Sequence, residues 1–199
     1  MSGPKTYEIR ADFDRETLVV YQAYRKEIGL PAIEAQKFVA PFSFTRMTWI
    51  KPSYLWLMER SNWGQKSDQA MILAIRIRRQ AWESALREAV LTHPEKKIYG
   101  SNEAWREQFE KARVIVQWDP ERSLRGAKLE YSAIQVGISR HLIEDYATKW
   151  ITEIQDYTPL TRKIHAFCRD GEYDKAKKLL PPERVYPVPE EIAKRLGMA

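Results

Sequence analysis

Three polar side chains stand where the surrounding pattern asks for apolar ones. Arg46 shares a face of the alternating segment "PFSFTRMTWI" with Phe42, Phe44, Thr48 and Ile50, and an arginine there must pair with a carboxylate or face a cleft. Gln22 interrupts an apolar alternation between Val20 and Tyr24, and Gln135 does so between Ala133 and Gly137. The glycine beside Gln135 leaves room for a ligand or another backbone to approach. Each residue alone fits a satisfied core hydrogen bond or an edge position facing water. Together, on three strands, they point to one shared polar cleft.

The stretch "TRMTWIKPSYLWLMERSNWG" adds Trp49, Trp56 and Trp63 to Arg46, Lys51 and Arg60. Tryptophan beside arginine or lysine suits stacking on a base or a nicotinamide ring with phosphates held nearby, although the indole is also the largest apolar surface available to a core. In the cleft reading Arg46 and Lys51 hold phosphates, rings from Tyr21, Tyr54 and Trp49 or Trp56 stack on the base, and Gln135 orients the ribose. "QWDPER" places Asp119, Glu121 and Arg122 directly after a strand, where loops commonly carry functional groups; an Asp-Pro pair is also an ordinary turn opener.

Other chemistries lack their signatures. The sequence holds no Gly-rich phosphate loop, no GxSxG elbow, no HExxH and no CxxC pair. Eight glycines among 199 residues discount a Walker or Rossmann nucleotide site. The single Cys168 rules out an internal disulfide, and His93, His141 and His165 are scattered, so no metal is expected. A net charge of +6 favours anionic partners, nucleotide or nucleic acid, but 33 basic residues are interspersed with 27 acidic ones and form no tail. The polar N-terminus and the lack of a long apolar run predict a soluble, cytoplasmic protein with no membrane partner. Nothing in the sequence fixes the oligomeric state.

The positioning elements follow from periodicity. Period-two alternation predicts strands over 16–24, 41–50, 70–78, 113–118 and 128–138. Helices are expected over 30–38 with Pro31 in the first turn, over 54–63 behind Pro52 or Ser53 with Gly64 as the stop, over 80–91 and over 99–112. The helix over 54–63 puts Trp56 and Trp63 on one face. Ser139 is expected to cap a long helix over 140–157, with Ile143, Tyr146, Trp150 and Ile154 as its apolar ladder and Pro159 as its end. The turn falls at 119–126. About five strands without regular βαβ alternation predict an α+β fold with a mixed or antiparallel sheet. Residues 1–159 form its core, and 160–199 a helical, Pro-rich extension packed on that core within a single domain.

In order, "VYQAY", "FVAPFSFTRMTWIKPSYLWLMERSNWG", "AIRIRRQAWESAL", "VQWDPERSLRG", "SAIQVGIS" and "YPVPEEIAKRLGM" resemble the domain of unknown function 4291 family, from about residue 16 to the C-terminus. That resemblance implies no established activity. The order of the parts also resembles ADP-ribosyltransferase-like domains, in which a first strand holds NAD, a second strand with Ser or Thr leads into a helix, and a late strand presents a glutamate. This likeness implies NAD as cofactor, with Gln22 or Arg46 at the dinucleotide, Ser53 and Tyr54 beside the nicotinamide, and Gln135 at the catalytic position. Gln135 departs from the pattern, because an amide carries no negative charge to stabilise an oxocarbenium-like centre or to act as a base. Two rival expectations stand beside it: a non-enzymatic RNA or single-stranded DNA module using the same rings and cations, and a structural protein that binds a partner through residues 160–199.

Overall fold

The computed structural model describes residues 7–198. In chain order its strands are β1 (Arg10–Ala11), β2 (Thr17–Tyr24), β3 (Thr48–Ile50), β4 (Met71–Arg78), β5 (Val90–Leu91), β6 (Val114–Arg122), β7 (Lys128–Ile138), β8 (Ile151–Asp156) and β9 (Arg184–Val185). The helices are α1 (Lys26–Ala35), α2 (Tyr54–Ser61), α3 (Arg79–Glu88), α4 (Lys96–Tyr99), α5 (Asn102–Glu110), α6 (Ile143–Asp145), α7 (Thr158–Arg169), α8 (Tyr173–Lys177) and α9 (Glu190–Arg195). The fold is α+β, with antiparallel and mixed sheets.

One sheet runs β2-β4-β8, antiparallel throughout. Its central strand, "MILAIRIR", buries every side chain except Arg76 and Arg78, as a strand covered on both faces must. A second runs β3-β7-β6-β5, with β5 parallel to β6 and the remaining pairs antiparallel, and β1 and β9 form a small antiparallel third, apart from these two main sheets. A backbone hydrogen bond from Tyr21 N to Lys51 O, 2.6 Å long, joins the two sheets where β3 ends. β2 is apolar on both sides because it separates two packing regions. Leu18 and Val20 face the larger core, while Val19 and Tyr21 face a smaller one built with Tyr54, Met58, Ile72 and Ile164.

Several expected boundaries move, each for a local reason. Only Thr48–Ile50 of the segment 41–50 is a strand. The aromatic alternation before it comes from a cluster in which Phe42 stacks on Phe38 at 4.2 Å and meets Tyr24 and Phe44 edge-on. Arg46 therefore stands in an exposed bend and not on a strand face. α1 begins at Lys26, so Pro31 lies inside it, where the Glu27 carbonyl loses its helical partner. α2 ends at Ser61, and the left-handed backbone of Asn62, Trp63 and Gly64 turns the chain away. Trp63 thus leaves the face of Trp56 and stacks on His165 of α7 at 5.1 Å.

α3 stops at Glu88, and Val90–Leu91 join β6 as a parallel strand instead of extending the helix. β6 continues through Arg122, so Asp119 lies in the strand and the turn follows at Ser123–Ala127. Pro120 is tolerated there because β5 pairs only with Ile115 and Val116, leaving the far edge of β6 open beyond them. The expected helix over 140–157 is instead α6, a five-residue π turn over Tyr146–Trp150, and β8. A bulge lets Ile151 and Ile154 both point inward, with Ile151 opposite Ile77 and Glu153 opposite Arg76. A spacing of three is helical in a regular helix, but a bulged strand produces it too.

The C-terminal segment is helical, as expected, and docks through specific residues. Ile164 of α7 enters the smaller core, and Ile192 and Leu196 enter the larger one. Trp118 Nε1 donates to Leu196 O at 3.0 Å. Among the described residues no helix is long and apolar enough to cross a membrane.

Candidate functional site

The joint between the two sheets opens into a cleft of about 630 Å³. β2 contributes Gln22 and Tyr24, the approach to β3 contributes Arg46 and Met47, and β3 itself Thr48 and Trp49. Lys51 follows, α2 adds Trp56 and Arg60, and β6 and β7 supply Gln117, Asp119 and Gln135. Seven residues singled out by pattern thus line one space: Gln22, Arg46, Trp49, Lys51, Trp56, Asp119 and Gln135.

The floor is a saturated hydrogen-bond knot. Gln22, 3% exposed, offers its Nε2 to Tyr24 Oη at 2.8 Å, Thr48 Oγ1 at 2.7 Å and Trp49 O at 3.1 Å, and its Oε1 accepts from Tyr146 Oη at 2.6 Å. With its amide so engaged, Gln22 fixes the joint between β2 and β3 and has no donor left for a ligand.

One wall is a carboxylate held at both oxygens. Gln117 and Gln135 stand directly opposite each other on β6 and β7. Gln117 Nε2 donates to Asp119 Oδ1 at 2.9 Å, and Gln135 Nε2 donates to Asp119 Oδ2 at 2.6 Å. The amide of Gln135 thus stands beside the carboxylate of Asp119. Gly137 makes room for protein and not for a ligand: a Cβ there would lie 2.8 Å from Met47 Sδ and 3.1 Å from the Trp49 ring.

The cationic groups differ in setting. Lys51 is 8% exposed, donates from Nζ to Trp49 O at 3.2 Å, and lies 5.4 Å from the centroid of the Trp56 ring. Burial lowers its pKa to about 7, Arg60 pushes in the same direction, and Asp119 opposes. Arg46 and Arg60 are exposed at the cleft and make no ion pair among the described residues. Gln69 also lines the cleft, and its buried Oε1 has no hydrogen-bond partner. A buried acceptor left open is costly unless something occupies it.

The other candidate residues lie elsewhere. Tyr21 is 0% exposed behind the joint and packs edge-on against Tyr54 at 5.5 Å. Ser53 caps α2 by accepting from Trp56 N at 3.2 Å and donates to Glu121 Oε1 at 2.9 Å. Tyr54 Oη pairs with Thr161 Oγ1 at 2.8 Å. Ser53 and Tyr54 line a separate cavity of about 390 Å³ with Glu121 and Glu183. There Glu183 accepts from Tyr54 N at 2.7 Å, and burial, reinforced by Glu121, raises its pKa to about 8. Arg122 bonds Gly126 O at 3.1 Å and approaches Glu59 at 3.5 Å, in a shallow groove that shares Trp56, Arg60 and Asp119 with the main cleft.

The sequence pattern does not single out Gln117 or Gln69, and it names Arg60 with the tryptophans without assigning it a role. Gln117 carries the same signal as Gln135, a polar residue between Val116 and Trp118 in an apolar strand. Arg60 stands near the tryptophans in sequence, but only the turn of α2 brings it to the cleft. Gln69 has no sequence signal at all. Among the described residues no three His, Cys, Asp or Glu side chains are grouped as a metal ion would require.

A family profile described as "Domain of unknown function (DUF4291)" matches residues 8–186, a span that includes every residue lining the cleft. No curated protein and no solved structure matches the chain.

Proposed function

The chain belongs to the family described as Domain of unknown function (DUF4291), a description that names no activity, and we propose from the site itself that its cleft binds a nucleotide-like anion. The observation that carries this reading is the meeting, in one cleft, of cations without ion pairs, an indole face and a carboxylate fixed at both oxygens. Arg46 and Arg60 hold phosphates at the mouth. Trp56 and Trp49 flank the base, and Asp119 accepts from ribose hydroxyls. Gln135 is then a positioning residue acting through Asp119.

The catalytic form of this reading is a divergent ADP-ribosyltransferase-like enzyme with NAD as glycosyl donor. Asp119, in place of the glutamate of such domains, is the negative group beside the ribose carbon that gains positive charge. The test is thermal denaturation with NAD, ATP, GTP and ADP-ribose, since a ligand at 100 times its Kd adds about 2.7 kcal/mol. A saturable shift that is lost in Arg46→Ala and weakened in Gln135→Ala is expected. No shift with any nucleotide overturns the reading.

One observation favours a second reading. The cleft runs on past Trp56 into the groove of Lys66 and Arg122, a path that a single strand of RNA or DNA would follow. Salt separates the two: several phosphate contacts make oligonucleotide affinity fall steeply as salt rises, whereas a mononucleotide responds weakly.

A further inference from the structure

Lys51 does not behave as a phosphate anchor. Its side chain is buried, and among the described residues it has no carboxylate within ion-pairing distance and a single hydrogen bond, to the carbonyl of Trp49. An ammonium in that setting leaves two donors unsatisfied and its charge unneutralised. A neutral amine, by contrast, satisfies one N–H at Trp49 O and keeps its lone pair free. The backbone cannot swing the residue out, because Lys51 O is tied to Tyr21 N at the joint between the sheets. The amine is therefore held at the wall of a cleft with exposed arginines.

We propose that Lys51 is a nucleophile that forms an imine with the aldehyde or ketone carbon of a phosphorylated sugar bound in the cleft. The placing of the phosphate at Arg46 and Arg60 rests on the anion-binding reading; the reactivity of the amine does not. The Nζ lone pair attacks the carbonyl carbon, the C–O π pair moves to oxygen, and that oxygen takes a proton from a water whose hydroxide removes one proton from the now-positive nitrogen. The resulting carbinolamine loses its hydroxyl as water while nitrogen gives up a proton, so amine and carbonyl become imine and one water with no oxidant or reductant consumed. Open-chain ribose 5-phosphate, the sugar phosphate of a nucleotide, carries such a carbon and a phosphate in one molecule.

The charged and titratable groups facing Lys51 come from four directions. Arg60 on α2 disfavours its protonation, Asp119 on β6 favours it, Arg46 before β3 lines the same cleft, and Tyr24 on β2, raised by burial to about 12, stays neutral. With a pKa of about 7, Lys51 is about half amine at neutral pH while ordinary lysines are ammonium.

The wild-type protein is incubated with ribose 5-phosphate and cyanoborohydride near pH 7, and labelled lysines are quantified by peptide mass spectrometry. Each molecule carries its own reference, the exposed and ion-paired Lys111. Lys51 is expected to be reduced to a secondary amine at least tenfold faster than Lys111, with the rate half-maximal near pH 7, and faster with ribose 5-phosphate than with ribose. Arg46→Ala removes the preference for the phosphorylated sugar, and unfolding in urea removes the excess rate of Lys51. Labelling of Lys51 no faster than Lys111 overturns the proposal even where NAD or ATP raises the melting temperature. Equal rates with ribose and ribose 5-phosphate also overturn it, as to the phosphorylated substrate.

Discussion

Gln135 donates its side-chain amide to Asp119 at 2.6 Å, diagonally across the β6–β7 pair, since the residue directly opposite Asp119 is Ala133. Gln117 holds the second oxygen from within β6 itself. Asp119→Asn keeps the shape but presents an amide nitrogen to a glutamine donor. A charge-assisted bond is lost and one donor is left facing another, so urea denaturation is expected to show about 1–3 kcal/mol of destabilisation. Ligands that offer ribose hydroxyls should bind at least tenfold more weakly, while affinity for inorganic phosphate is retained. Unchanged stability in this variant would mean that the carboxylate is not held as described.

Arg46 is exposed and makes no ion pair among the described residues, so its removal leaves nothing unsatisfied. Arg46→Ala is expected to change stability by no more than about 0.5 kcal/mol. Nucleotide affinity, measured by calorimetry, should fall about tenfold, or about 1.4 kcal/mol, near the low end of the about 1.5–3 kcal/mol of a hydrogen bond to a charged group because the site is exposed. Equal affinity in wild type and variant would place the phosphate elsewhere.

How far the site can be read from the sequence depends on the kind of signal. Gln22, Gln135 and Gln117 break apolar alternation, and a buried amide must find partners, so the pattern alone predicts that they converge on other polar groups. Arg46 reaches the cleft by a different route: its apparent strand face is an aromatic cluster around Phe42, and the bend that follows carries the arginine to the mouth. Ser53 and Tyr54 are adjacent to the cleft in sequence yet belong to another cavity, because capping α2 turns them toward Glu121 and Thr161. The strand β8 is hidden because one bulge gives Ile151 and Ile154 a helical spacing. Strand faces and polar interruptions are local properties. Bulges, caps and the distant residues that close a cavity depend on tertiary contacts, and Glu183 is the plainest case, reaching Tyr54 N across 129 positions from the Pro-rich tail.

Lys51 gives the pH dependence of stability a definite sign. Burial lowers its folded-state pKa to about 7 from an ordinary 10.5. Between those values the unfolded chain holds a proton there and the folded chain does not, so stability rises with pH across that window. Below about pH 7 both states are protonated, and the folded state bears a buried charge. Lys51→Met should therefore be relatively most stable in mild acid, and the wild type should regain ground on it as pH rises from about 7 to about 10. Urea denaturation of both proteins across that range measures the difference, and a flat difference would show that Lys51 is solvated in the folded state.

Glu183 acts with the opposite slope. Burial foremost, with Glu121 adding to it, raises its folded-state pKa to about 8 from 4.5, although its bond from Tyr54 N works the other way. From about pH 4.5 to about pH 8 the folded chain holds a proton that the unfolded chain has released, so stability falls as pH rises through that window. Glu183→Gln retains the acceptor for Tyr54 N and cannot ionise. It is expected to match the wild type near pH 4.5 and to exceed it increasingly toward pH 8, as measured by the melting temperature. An unchanged difference between the two proteins over that range would mean that Glu183 is ionised and solvated beneath the Pro-rich loop.

Tyr21 and Tyr54 meet edge-on at 5.5 Å, yet their hydroxyls have opposite fates. Tyr54 Oη pairs with Thr161 Oγ1 at 2.8 Å, whereas the buried Tyr21 Oη has no partner among the described residues. An unsatisfied buried hydroxyl costs its desolvation without return, while a paired one repays about 1 kcal/mol. Tyr21→Phe is therefore expected to stabilise the protein by up to about 1 kcal/mol and Tyr54→Phe to destabilise it by about 1 kcal/mol, with the edge-on ring contact kept in both. Denaturant midpoints at constant m-value give the comparison. Because Tyr21 lies behind the joint and not in the cleft, Tyr21→Phe should also leave nucleotide affinity unaltered; loss of affinity would show that its hydroxyl reaches the ligand after all.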